Sequence, residues 1–154
     1  MPFAFPQETL SQKTSDKVLS IEEVNALIPK MQDSVYRLLQ MNAQVNRTID
    51  RLKSADIMLN DSLTINTISG QDEETIDALS SLKVLLSAIQ VEVNAINDHG
   101  GSIDSIEDAV IQWKSSINDH ELTLSWKLGE KKVVFGMDNN HRKPLSDIVN
   151  AQLA

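Results

Sequence analysis

Cysteine is absent from the 154 residues, which removes disulfides, thiolate nucleophiles and zinc–sulfur sites together. Aromatic side chains are scarce at 4%, so aliphatic residues must fill the core, which favours helix–helix packing over an aromatic-rich sheet. No run approaches the ~18 consecutive apolar residues of a membrane span. The opening Met-Pro-Phe-Ala-Phe-Pro has neither the basic start nor the apolar centre of a signal peptide. Together with the missing cysteine, this leads us to expect a soluble, unprocessed cytoplasmic protein with no membrane contact. Positive charge is also short, with 14 basic residues against 22 acidic ones and a formal net charge of −8. From Ser54 to Gln112 eleven carboxylates face the single Lys83. Such a chain repels a phosphate backbone, so nucleic acid is excluded as a partner.

Helical signals dominate the first hundred residues. Ser20-Ile21-Glu22-Glu23 is a capping box, with Leu19 placed to staple against Val24. Beyond it Val24, Ile28, Met31, Val35, Leu38, Asn42, Val45, Ile49, Leu52, Asp56 and Leu59 follow in steps of four and three, the seam of a coiled coil. Pro29 lacks an amide proton and should kink this helix. Asp61 to Gln71 is polar and reads as a connection. A second seam, Leu79, Leu82, Leu86, Ile89, Val93 and Ile96, starts after an acidic first turn capped by Ser69 or Asp72 and stops at Gly100. Two seams joined by a polar loop form an antiparallel hairpin. Arg47, Arg51 and Lys53 would then lie beside Glu73, Glu74 and Asp77.

After Gly100-Gly101 the period shortens. Val110 to Trp113, Leu122 to Trp126 and Val133 to Phe135 are β-prone, with turns at Asn118 to His120 and Leu128 to Lys131. Leu145, Ile148, Val149 and Leu153 return to helical spacing. The expectation is an α+β protein, mainly α. A flexible arm (1–18) precedes a single domain (19–154). Its first helix spans 19–60 and is kinked near Pro29; the second spans 72–99. The two form a coiled-coil-like hairpin, followed by a three-stranded antiparallel meander over 109–138 and a short helix over 145–153.

Three stretches carry a resemblance. Leu19 to Pro29 resembles the opening F-[ST]-x-E-E-A-N-x-L-L-P of a bacterial domain-of-unknown-function family. Leu122 to Glu130 resembles its L-C-W-[KR]-x-G-E strand, and Arg142-Lys143-Pro144-Leu145 matches its closing R-x-P-L. The resemblance implies a helical hairpin capped by a small sheet, and no activity. It also identifies a divergent member. Where the family reads Gly-Leu-Val-Asp-Phe, this chain has Ala109-Val110-Ile111-Gln112-Trp113. The family's later Trp-His is replaced by a strand ending Phe135-Gly136-Met137-Asp138, with Asn139-Asn140-His141 in a shortened loop.

Few residues point to chemistry. His99, His120 and His141 are about twenty residues apart, whereas helical metal ligands recur every three or four. Asp98, Asp104, Glu107 and Asp108 miss the calcium-loop spacing. No serine lies in G-x-S-x-G, and Gly129-Glu130-Lys131-Lys132 is not a phosphate loop. The chain is therefore expected to be no enzyme and to hold no metal or cofactor. Glu130 and Arg142 should form an ion pair, since a planar guanidinium suits a carboxylate.

The functional expectation is a non-enzymatic protein-interaction or self-association module, forming a homodimer. Leu39, Met41, Leu63, Ile65, Ile68, Leu85 and Val91 lie off the seams and would supply a second contact surface. Met31, Met41 and Met58 suit adaptable packing. The rival expectation is a small-molecule site between the sheet and the hairpin base, lined by Trp113, Trp126, Glu130 and Arg142.

Overall fold

The computed structural model describes residues 17–54 and 73–153. Helix α1 spans Ile21–Ser54 and α2 spans Glu73–Asp98. They are followed by strands β1 (Gly101–Ile103), β2 (Val110–Ile117), β3 (His120–Lys127), β4 (Phe135–Asp138) and β5 (His141–Pro144), and by α3 (Leu145–Leu153). The connection expected over 61–71, the cap of the second helix and the end of the first beyond Ser54 lie outside the described residues.

The capping box closes α1 reciprocally. The Glu23 amide donates to Ser20 Oγ and the Ser20 amide to Glu23 Oε1, both at 3.1 Å. The helix continues through Pro29 without a break. Every seam position from Val24 to Leu52 is buried, Asn42 included. On α2 the burial centres on Ala78, Leu82, Ile89, Val93 and Ile96, while Leu79 and Leu86 are partly exposed. Matching stripes on two helices of comparable length pair antiparallel, because each must bury its apolar face against something.

Two ion pairs follow that register. Arg51 approaches Glu74 at 3.8 Å, as charge placement suggested, but both side chains are well exposed, so the pair is worth at most ~1 kcal/mol. Arg37 grips Glu92 with Nη2 to Oε1 at 2.7 Å and Nε to Oε2 at 3.2 Å. This fork holds the Glu92 carboxyl below the usual carboxylate range and raises the guanidinium of Arg37.

Asp98 ends α2 because Gly100 takes φ +85°, and the Gly100 amide donates to the Asn97 carbonyl at 2.9 Å. An added Cβ there would sit 3.0 Å from Leu19 Cδ1. Gly100→Ala is expected to cost ~1–2 kcal/mol through the left-handed backbone alone. A thermal melt unchanged by this substitution would show that the stop does not depend on glycine.

The sheet corrects the sequence reading. It has five strands, not three, in the order β1-β2-β3-β4-β5, all antiparallel. Two strands were missed: β1, only three residues long, and β5, whose His-Arg-Lys-Pro shows no apolar alternation. The third expected strand is also displaced. Val133 and Val134 lie before β4, which starts at Phe135. The expected turn closes one residue early, with the Glu130 amide donating to the Lys127 carbonyl at 3.0 Å. Asn118-Asp119 and Asn139-Asn140 all have positive φ. Such two-residue turns match the strand twist and are tolerated by Asn and Asp. Ala109, at φ +55°, occupies the position where the resembled pattern has glycine.

The N-terminal segment differs as well. Val18 bridges to Lys114, the Leu19 amide donates to the Lys114 carbonyl at 2.9 Å, and Lys17 Nζ reaches the Asp98 carbonyl. Lys17 and Val18 are thus tied to the sheet and the end of α2, and are not part of an arm. Residues 1–16 of that expected arm lie outside the described residues.

Side chains alternate across the sheet. Ile111, Trp113 and Ser115 of β2 share one face with Leu122, Leu124 and Trp126 of β3. That face is buried in one cluster with the helical seams. Lys114, Thr123, Ser125, Phe135, Met137 and Arg142 lie on the other face. α3 contributes buried Ile148, and Leu145 packs against the core. No described helix is long and apolar enough to cross a membrane.

Candidate functional site

The residues that carry the family resemblance converge on one end of the sheet. Gly129, at φ +102°, lets the chain reverse after Trp126-Lys127. Within this turn the Lys127 amide donates to Glu130 Oε1 at 2.8 Å, and Trp126 Nε1 donates to the Glu130 carbonyl at 2.8 Å. The Leu128 amide donates to the Ala109 carbonyl, joining the turn to the loop before β2. From α1, Asn25 Oδ1 accepts the Val133 amide at 2.8 Å. The Leu145 amide donates to the Val134 carbonyl.

Arg142 locks the open face of this end. Its Nη2 meets Glu130 Oε1 at 2.5 Å and the Ser125 carbonyl at 3.3 Å, while Nε donates to Ser125 Oγ at 2.9 Å. The guanidinium carbon lies 4.2 Å from the centroid of the Phe135 ring, a cation–π distance. Arg142 and Glu130 side chains are 27% and 22% exposed. The expected ion pair is therefore present and half-buried, and it ties β5 to the Gly-Glu turn and to β3.

The four residues proposed to line a small-molecule site do not face one space. Trp113 and Trp126 are 1% and 0% exposed and fill the core between sheet and helices. Glu130 and Arg142 meet on the opposite side of the sheet. A separate groove of about 310 Å³ is lined by Val18, Lys114, Ser115, Glu121, Leu122, Thr123 and Met137. Its charged side chains, Lys114 and Glu121, are exposed. Among the described residues no three His, Cys, Asp or Glu side chains are placed to hold a metal ion.

A second candidate is a surface. Ile76, Val84 and Val91 are 51%, 69% and 68% exposed on α2. At 3.6 residues per turn they share one stripe, opposite Leu82, Ile89, Val93 and Ile96. Ser80, Ser87 and Ala88 extend it, exposed Glu73 and Asp77 share it around Ile76, and Lys83 is the one exposed charge between Ser80 and Asn94. Of the described off-seam residues expected to form a contact surface, only Val91 is on it. Leu39, Met41 and Leu85 pack against the core, and Leu63, Ile65 and Ile68 lie outside the described residues. Ile76 and Val84 were missed, although their eight-residue separation, with Val91 seven further on, was readable as a helical stripe.

Residues 17–142 match a family described as uncharacterized conserved protein (DUF2203). No curated protein matches the chain, and no solved structure does. The matched stretch runs from Lys17, which anchors at the end of α2, to Arg142, which locks the sheet. The chain belongs to the DUF2203 family.

Proposed function

We propose that this chain is a non-enzymatic interaction module whose docking surface is the outer face of α2. The observation that carries this reading is the stripe of Ile76, Val84 and Val91, exposed on one helix face whose charges are Glu73 and Asp77 around Ile76 and Lys83 at its edge. A solvated helix face is normally polar, and clustered exposed apolar side chains mark contact sites. The paired seams of α1 and α2 have the heptad spacing of a coiled coil, a rigid base for such a face. The chain carries no cysteine and so needs no oxidising compartment, which fits a cytoplasmic location. The burial of both tryptophans weighs against the rival small-molecule site, because the side chains that would line it are committed to packing.

Substitution of Val84 and Val91 together by aspartate places charge on the stripe without touching the core. Circular dichroism of Val84→Asp/Val91→Asp is expected to match that of the parent chain. Proteins recovered with the tagged parent, its own copies included, should fall at least about tenfold with the variant, the effect of ~1.4 kcal/mol or more lost at an interface. Equal recovery with both chains would contradict the reading.

A further inference from the structure

Independently of the α2 face, we propose that the groove on the open face of the sheet binds a small zwitterion with an apolar side group, a free aliphatic amino acid being the simplest. Val18 bridges to Lys114, Lys114 pairs with Thr123, and Thr123 pairs with Met137. These four side chains therefore form one row across the sheet, and all four line the groove. Val18, 55% exposed, and partly buried Met137 are its apolar ends. Glu121, two residues before Thr123, stands on the same face. Arg142 follows Met137 in the row, but its guanidinium is turned onto Ser125 and Glu130. The charges that line the groove are thus Lys114 and Glu121.

Those two charges set the chemistry of the ligand. Lys114 pairs with Thr123 and Ser116 with Glu121, so Lys114 and Glu121 are diagonal neighbours on adjacent strands, ~7–8 Å apart. Both side chains are long enough to close that distance. Yet among the described residues neither forms an ion pair or a side-chain hydrogen bond. An ammonium and a carboxylate therefore flank the groove with their charges uncommitted. A simple anion would meet Glu121 as a like charge, and a simple cation would meet Lys114. A zwitterion satisfies both, with its carboxylate on Lys114 Nζ and its ammonium on the Glu121 carboxylate. The Thr123 hydroxyl, beside Lys114, is a further donor for the ligand carboxylate, and Val18 or Met137 takes the apolar group. Size agrees: about 310 Å³ is the small end of the ~300–1,000 Å³ of small-molecule sites, which suits a single amino acid. Lys114 and Glu121 are exposed, so solvent screens both contacts, and a dissociation constant of about 1 mM is expected.

Amide-resolved NMR titration of the full chain with leucine, leucinamide and N-acetyl-leucine tests this. Leucine is expected to shift the amides of Lys114, Glu121, Thr123 and Met137. Leucinamide lacks the carboxylate and N-acetyl-leucine lacks the ammonium, so each should bind about tenfold more weakly, the effect of ~1.4 kcal/mol. Lys114→Gln should weaken leucine about tenfold and leave leucinamide unchanged; Glu121→Gln should weaken leucine to the same degree and leave N-acetyl-leucine no weaker. Both substitutions fall at exposed positions, and their circular dichroism should match that of the parent chain. Leucine binding untouched by both substitutions, or N-acetyl-leucine binding as tightly as leucine, would overturn the zwitterion assignment. No shift at these amides with any of the three at about 20 mM, well above the expected dissociation constant, would remove the groove as a site. The α2 reading is judged separately by the Val84→Asp/Val91→Asp recoveries, which leave the sheet untouched.

Discussion

Arg142→Ala is expected to lower the stability of the chain by about 3 kcal/mol, the scale of a partly buried ion pair broken on one side. The guanidinium holds Glu130, the hydroxyl and carbonyl of Ser125 and the face of Phe135 at once. Its loss strands the Glu130 carboxylate, which keeps only the Lys127 amide. Glu130→Ala should cost less, because its carbonyl still accepts from Trp126. In the double variant the two losses should fall short of their sum by ~1–3 kcal/mol, the coupling of residues in direct contact. Denaturant melts of the two single variants and the double variant measure this. Additive losses would mean that the pair does not hold β5 to the turn.

The two tryptophans give the second large effect, and it differs between them. Both are fully buried, so truncation to alanine should cost ~3–5 kcal/mol at either position. Phenylalanine separates packing from hydrogen bonding. Trp126 Nε1 donates to the Glu130 carbonyl, whereas Trp113 Nε1 is buried with no hydrogen-bond partner among the described residues. Trp126→Phe removes a made bond. Trp113→Phe removes an unpaired donor that was costing desolvation energy. Trp126→Phe is therefore expected to be the more destabilising by ~1 kcal/mol or more. The reverse order in thermal or chemical melts would undo the role given to the Trp126–Glu130 bond.

Much of this architecture was legible because it rests on local rules. Ser20 and Glu23 announce a helix start whatever follows, and the seam from Val24 to Leu52 is a periodicity that only a paired helix satisfies. The Glu130–Arg142 contact was legible from chemistry, since a turn carboxylate and a following arginine return to the same sheet end. The strands failed where their signal is weakest. β1 is too short to show alternation, and its Gly101 reads as loop. β5 is an edge strand bearing charge and a terminal proline, which is how edges avoid pairing with other chains. Its turn, Asn139-Asn140, was nevertheless readable, because it has the same left-handed chemistry as Asn118-Asp119. Val133 reads as strand because it is apolar and β-branched. In the fold its amide goes to Asn25, a contact 108 residues away in the chain that no local pattern reveals. The proposed site separated for a similar reason. Trp126 and Arg142 are close along the sheet, but the pleat sends them to opposite faces.

Sedimentation equilibrium on the full chain and on Val84→Asp/Val91→Asp bears most directly on the α2 face. At about 50 µM, a concentration that populates a pair of micromolar affinity, the parent chain should approach twice its 17.1 kDa mass. The variant should remain at 17.1 kDa. Equal masses for the two chains, whether single or double, would contradict association through the outer face of α2.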